Sequence, residues 1–347
     1  MKTIPSIQTA LLLILVAFTQ SAWSQDFVKS YEQKYAVDQN ALLTIQNKFG
    51  DINCENWSEP AISIKVDITV DASSQEKANK VFDRIKIDLS GNRTHVSGIT
   101  EINGSINNSD FHIDYTVMMP TTIQVDLTNR FGAIFFSETE GNARIVLEYG
   151  NMEAASFRGA ENSFDIKFSE VEVKSLTNGS VNIEYGEWDG GTAGDLTIRS
   201  RFSEVMIKEM GMIELDSQYD EVDLGTTGKA NVITRFSEID FGTLKGDFSF
   251  DIQYGDMAVE LIQAGFLTGT VINQFAEVTL GFAPSASFKV EAELSFGDLD
   301  YPSSSSLTHK EVGYTTNVYN GTIGSDKNPQ SQVTINSKNA NVSIEFN

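Results

Sequence analysis

A tetrad recurs down the chain: an aromatic residue, a small one, usually an acid, then an apolar residue. It reads Phe131-Gly-Ala-Ile, Tyr149-Gly-Asn-Met, Phe168-Ser-Glu-Val, Tyr185-Gly-Glu-Trp, Phe202-Ser-Glu-Val, Tyr219-Asp-Glu-Val, Phe236-Ser-Glu-Ile and Tyr254-Gly-Asp-Met, then Phe275-Ala-Glu-Val and Phe296-Gly-Asp-Leu. The spacings are 18, 19, 17, 17, 17, 17, 18, 21 and 21 residues. An outlying copy, Phe49-Gly-Asp-Ile, precedes the array, and a degenerate Asn339-Ala-Asn-Val closes it. Units this short cannot bury an apolar face alone, so a fixed period means units stacked on one another.

Apolar residues alternate on both sides of each tetrad, as half-buried strands require. Phe164 and Ile166 precede Phe168, and Val171 and Val173 follow it. The alternation changes phase across the tetrad, which predicts a bend there, with Gly150, Ser169, Gly186, Ser203, Ser237 and Gly255 as the residues that turn. The expected fold is all-β: a parallel β-solenoid with short coils of 17–21 residues and an N-terminal β-rich cap containing one helix. An antiparallel meander is the rival, but it needs two-residue turn signals that are largely absent. The residue before each aromatic reads Arg130, Glu148, Lys167, Glu184, Arg201, Gln218, Arg235, Gln253. One unit per coil stacks unlike groups; two units per coil would set Arg201 against Arg235. The aromatic column shares the parity of the apolar residues upstream, so its rings are expected inside.

The chain divides into four parts. Residues 1–25 read as an export signal, with Lys2, the apolar run Leu11 to Phe18, and Ala22-Trp23-Ser24 before the cleavage point. That run is too short to span a bilayer comfortably, and no later segment could cross a membrane. Residues 26–120 form the cap, with a clean strand at Ile62–Val70, an amphipathic helix at Ser73–Ile85, and strands at Lys86–Leu89 and Phe111–Met119. Residues 121–301 are the repetitive array. Residues 302–347 hold a polar excursion and a terminal coil with strands Val333–Ile335 and Val342–Phe346.

The chain carries 25 basic and 48 acidic residues. Such a surface repels phosphate backbones and anionic lipid, which argues against nucleic-acid and membrane-surface roles. Cys54 is the sole cysteine, so no intramolecular disulfide forms, and a buried small hydrophobe is its commoner fate.

The passage Asn47-Lys-Phe-Gly-Asp-Ile-Asn-Cys-Glu-Asn-Trp57 followed by Ile62-Ser-Ile-Lys-Val resembles the opening of the exported putative-adhesin domain family. So do Val117-Met-Met-Pro120, Ile123-Gln-Val-Asp-Leu, Asn129-Arg-Phe-Gly-Ala-Ile134, and the ending Tyr319-Asn-Gly-Thr-Ile-Gly324 with Val333 to Ile344. The likeness spans nearly all of the chain after the export signal. It implies a right-handed β-helical exported protein of Bacteroidota-like envelopes, with no catalytic motif to transfer. Serine, alanine or aspartate replaces the usual glycine at several bends, which should affect corner geometry only.

The third tetrad position lines up Asp51, Glu170, Glu187, Glu204, Glu221, Glu238, Asp256, Glu277 and Asp298, with Glu172, Asp189, Asp223, Asp240 and Asp300 two residues on. Glu170, Glu187, Glu204, Glu221, Glu238 and Asp256 are the candidate cation ladder, with Ca²⁺ as the fitting ion because it takes several oxygen ligands; the alternative is a solvated acidic face. Trp57, Trp188 and Tyr301 are the candidate sugar-stacking rings, each expected to be packed. His95, His112 and His309 stand in no catalytic or metal-ligand spacing. The function expected is therefore a non-enzymatic, adhesin-like binding protein without cofactor, in the periplasm, at the cell surface or secreted, contacting a protein or glycan. A polysaccharide-active β-helix enzyme and an envelope sensor working with a membrane partner are the alternatives.

Overall fold

The computed structural model describes residues 25–106 and 109–347; the export segment expected at residues 1–25 lies outside them except for Gln25. The described residues are all-β with a single helix and one large, mostly parallel sheet that does not close on itself. Among the described residues no helix is long and apolar enough to cross a membrane.

Successive repeats pair with one another in parallel and in register. Arg130 lies opposite Glu148, Glu148 opposite Lys167, Lys167 opposite Glu184, Glu184 opposite Arg201, Arg201 opposite Gln218, and Gln218 opposite Arg235. One repeat therefore advances the ladder by one strand, and the antiparallel meander is excluded along the array. The charge pattern follows. Arg130 pairs with Glu148 at 3.0 Å and Lys167 with Glu184 at 3.6 Å, exposed bridges worth a few tenths of a kcal/mol each, about 0.2–1 kcal/mol at most.

The core is a set of apolar columns. One runs Ile145, Phe164, Val181, Ile198, Leu215, Val232, Phe250 and Val271, each opposite the next and each buried. Full burial of such a side chain is worth about 1.5–3 kcal/mol, so the stacked columns are the main source of stability. A polar insert interrupts a second column: Ser200, Ser217 and Thr234 are buried where other repeats carry Leu147, Ile166, Ile183 and Ile252.

The small residue at each bend is needed for a different reason from the one expected. A Cβ added at Gly132 would meet the Gly50 carbonyl oxygen at 2.0 Å, and one at Gly150 would meet that of Gly132 at 2.0 Å. Backbones of adjacent rungs close up at this corner. Where serine stands instead, its hydroxyl serves the rung before it: Gly150 N–H donates to Ser169 Oγ (3.1 Å), Gly186 N–H to Ser203 Oγ (3.3 Å), and Asp220 N–H to Ser237 Oγ (3.1 Å). Asp220 is a stronger version. Its buried carboxylate accepts from Ser203 N–H, Gln218 N–H and the hydroxyls of Ser200 and Ser217 at 2.7–2.8 Å. Asp220, where several other repeats carry glycine, thus does more than alter a corner; it builds a buried polar node.

Both ends are antiparallel. At the first, Gln25–Ala36 pairs with Ala61–Ala72, which pairs with Asp110–Met119. The helix is Gln75–Phe82, shorter than the expected segment because Ile85 already begins the strand Ile85–Gly91. Ser74 caps it by accepting from Lys77 N–H, and Ala78, Val81 and Phe82 form its buried face. The copy at Phe49 is no outlier: Leu42–Lys48 and Ile52–Asn56 lie in the ladder beside Gln124–Arg130 and Ile134–Thr139. Cys54 is buried there, which pushes its thiol up to about 12.

At the other end the residues expected as a polar excursion contain a hairpin, Ser306–Val312 with Thr316–Ile323, which covers Phe288–Ser295. The strands at this end do not follow chain order. Ser331–Lys338 inserts between Thr268–Phe282 and Phe288–Ser295, parallel to both. The order of rungs is therefore Phe275, Asn339, Phe296.

Candidate functional site

The aromatic column faces water, not the core. Phe131, Tyr149, Phe168, Tyr185, Phe202, Tyr219, Phe236, Tyr254 and Phe275 are 41–49% exposed. The expectation of buried rings fails for a backbone reason. Every tetrad aromatic, from Phe49 to Phe296, sits in the left-handed region at φ 50–65°. The chain turns at the aromatic residue itself, and that conformation swings its Cβ out of the row that parity alone would assign. For L-residues it costs about 1–2 kcal/mol per position.

What offsets that cost is contact between neighbours. Ten rings, from Phe49 to Phe275, stack face to face with centroids 4.7–5.1 Å apart and planes within 1–10° of parallel. Each such contact is worth about 0.5–1.5 kcal/mol beyond area burial. Phe111 closes the first end, edge-on to Phe49 at 5.4 Å, and the Lys48 ammonium lies 4.9 Å from the Phe49 centroid.

Beside the rings runs the acidic row. Glu170 lies opposite Glu187, Glu187 opposite Glu204, Glu204 opposite Glu221, Glu238 opposite Asp256, and Asp256 opposite Glu277. Phe168, Tyr185, Phe202, Tyr219 and Phe236 form one wall of an open groove of about 1480 Å³, and Glu170, Glu187, Glu204, Glu221, Glu238 and Asp256 form the other. The structure thus brings all six candidate acids onto one face, with the ring ladder that sequence reasoning had placed inside. Among the described residues no group of three or more His, Cys, Asp or Glu is gathered tightly enough to hold a metal ion. The acids are spread one per rung rather than clustered.

Like charges one rung apart repel, by about 0.8 kcal/mol at 5 Å in bulk water. Asp240, in the second row, registers this: burial raises its carboxyl above the ordinary range, and Asp223, Glu221 and Asp256 raise it further. The groove is a place where added positive charge lowers the energy. Its rings present edges, since their faces are taken by neighbouring rungs, so a sugar ring has no free face to lie on along the ladder. Of the other candidate rings, Trp188 is buried, Trp57 donates its indole N–H to the Ala61 carbonyl at 2.8 Å, and Tyr301 is partly exposed.

No family model matches the chain, and no curated protein matches it. Among solved structures it is similar to a putative cell adhesion protein from Clostridium sporogenes, at 13% identity over 94% of this chain and 100% of that one (TM-score 0.18). It is also similar to two putative adhesins. The one from Bacteroides fragilis is 12% identical over 92% and 97% of the two chains (TM-score 0.29). The one from Parabacteroides merdae is 15% identical over 67% and 92% (TM-score 0.26).

Proposed function

We propose that the chain is an exported, non-enzymatic, adhesin-like binding protein of the cell envelope, built as a right-handed parallel β-solenoid, whose ring-and-carboxylate groove takes an extended basic partner. The in-register parallel pairing of successive repeats supports the solenoid, and the strong right-handed preference of crossovers between parallel strands supports its hand. Residues 26–120 then act as a cap on the first coil, 121–301 as the array, and 302–347 as the closure, so that neither sheet edge is left free to recruit other chains. The observation that carries the function is the acidic groove, with like charges repeated rung after rung from Glu170 to Asp256 and no basic residue on its lining.

An extended polypeptide bearing lysine or arginine fits this chemistry: its charges relieve the row, and its backbone needs no deep pocket. Titration calorimetry with octalysine, octaglutamate and chitotetraose at low ionic strength tests the reading. Octalysine is expected to bind, with affinity falling steeply with added salt. The Glu187→Gln/Glu204→Gln/Glu221→Gln/Glu238→Gln variant is expected to bind it at least tenfold more weakly. Octalysine binding that survives the quadruple substitution, or preferred binding of the neutral glycan, would refute it. Turnover of any glycan would refute the non-enzymatic part.

A further inference from the structure

The ring ladder has one missing member. The inserted terminal strand places Lys338 between Gln274 and Ser295, so Asn339 occupies the rung between Phe275 and Phe296. Asn339 adopts the same left-handed conformation as the rings on either side, φ 58° against 60° and 56°. Its position in the column is therefore that of a ring, but its side chain is a short amide. Phe275 stacks on Tyr254 at 5.0 Å, and among the described residues no other ring stacks on it. Phe296 is 67% exposed, well above the ladder rings.

Two rungs separate Phe275 and Phe296, about 10 Å at the usual strand spacing. Each existing ring step is about half that, so one planar ring, and only one, continues the stack between them. A hollow of about 340 Å³ opens on the Phe275 and Asn339 side of this gap, lined by these two with Glu277, Asp300 and Asn341 among others. Asp298 adjoins it with its oxygen engaged by the Tyr319 hydroxyl and its own N–H given to Asn341 Oδ1. The charged groups on this flank are thus carboxylates. Lys338 precedes Asn339 as Lys48 precedes Phe49.

We propose that this gap is a binding slot for a single flat aromatic ring bearing a cationic arm, an arylalkylamine, held between the faces of Phe275 and Phe296 with its ammonium directed to Glu277 and Asp300. The site is independent of the long groove: it uses ring faces, which the groove lacks. Stacking on two faces and an ion pair in a partly enclosed hollow both act on the same small molecule.

Calorimetric titration tests this with three probes: tryptamine, indole-3-acetate and N-acetylglucosamine. Tryptamine is expected to bind once per chain and at least tenfold more tightly than indole-3-acetate, which has the ring but the opposite charge. Asn339→Phe supplies the missing ring from the chain itself and is expected to abolish tryptamine binding. Phe296→Ala removes one wall and is expected to weaken it at least tenfold, which keeps the test decisive should the first variant fold poorly. Glu277→Gln/Asp300→Asn is expected to remove the preference for the amine over the acid. No binding of tryptamine, equal binding by Asn339→Phe, or binding of N-acetylglucosamine in its place would overturn the proposal.

Discussion

Replacing Phe202 separates the energetics of the ladder from those of the core. Its ring stacks on Tyr185 at 5.0 Å and 4° and on Tyr219 at 4.9 Å and 3°, and its backbone sits at φ 51°. Phe202→Ala removes both contacts, about 1–3 kcal/mol in all at 0.5–1.5 kcal/mol each, and leaves the left-handed strain in place. Phe202→Gly removes the same contacts but also relieves about 1 kcal/mol of strain, against a smaller entropic cost in the unfolded chain. The glycine variant should therefore be the more stable of the two by about 0.5 kcal/mol, the reverse of the usual order within a sheet. Urea denaturation followed by circular dichroism measures both, with midpoints compared at constant slope because stacked repeats can depart from two-state unfolding. The double variant with Tyr219→Ala should show a coupling of about 0.5–1.5 kcal/mol, whereas pairing Phe202→Ala with the distant Phe49→Ala should be additive within about 0.3–0.5 kcal/mol. An alanine variant as stable as the parent, or a glycine variant below alanine, would refute the account of strain offset by stacking.

Two further expectations concern buried or crowded carboxylates. Asp220→Ala orphans the Ser200 hydroxyl and two backbone N–H groups in a buried corner, while the Ser217 hydroxyl keeps Ser237 Oγ, and should cost at least about 2 kcal/mol, with Asp220→Ser markedly milder because the Phe168, Phe202 and Phe236 repeats already use serine there; a urea midpoint unchanged in the alanine variant would show that these donors find water instead. Asp240 has its native pKa raised above the ordinary 3.8, first by burial and then by Asp223, Glu221 and Asp256. A carboxyl raised in this direction favours the folded state below its unfolded pKa and loses that contribution as pH climbs through the native value. Asp240→Asn should accordingly raise the melting temperature at pH 7 and make no difference near pH 3, and a gain that persists unchanged at pH 3 would point to packing rather than charge.

Much of the architecture was legible because it depends on side-chain period. Ile145, Leu147 and their counterparts mark the buried face of each strand, and Arg130, Glu148 and Lys167 alternate in the register that the strands adopt. Strand length was harder: Gln25–Ala36 carries no clean alternation, being mostly exposed, so it passed unread. The direction of the rings was illegible for a different reason. Parity assumes an extended backbone, and a single left-handed residue breaks the count; Phe202 and Tyr219 have the composition of core residues but the dihedral of a turn. The one available signal lay in Asn339, since asparagine is the residue other than glycine most at ease at positive φ. Its alignment with the aromatic column marked that column as a turn position. The acids fall in line because position within the tetrad fixes their register, whereas the rings beside them could not be placed from parity.

The placing of Ser331–Lys338 between two strands made earlier has a consequence for how the protein comes into being. The rung that joins Phe275 to Phe296 is supplied by residues made after both of the strands it sits between. A nascent or truncated chain lacking them has a seam near its far end where two open edges await the same strand. Completion of the column must therefore wait until Ser331–Lys338 has been made, and that strand acts as a keystone: its deletion should unseat the Phe288–Ser295 strand and the hairpin paired with it.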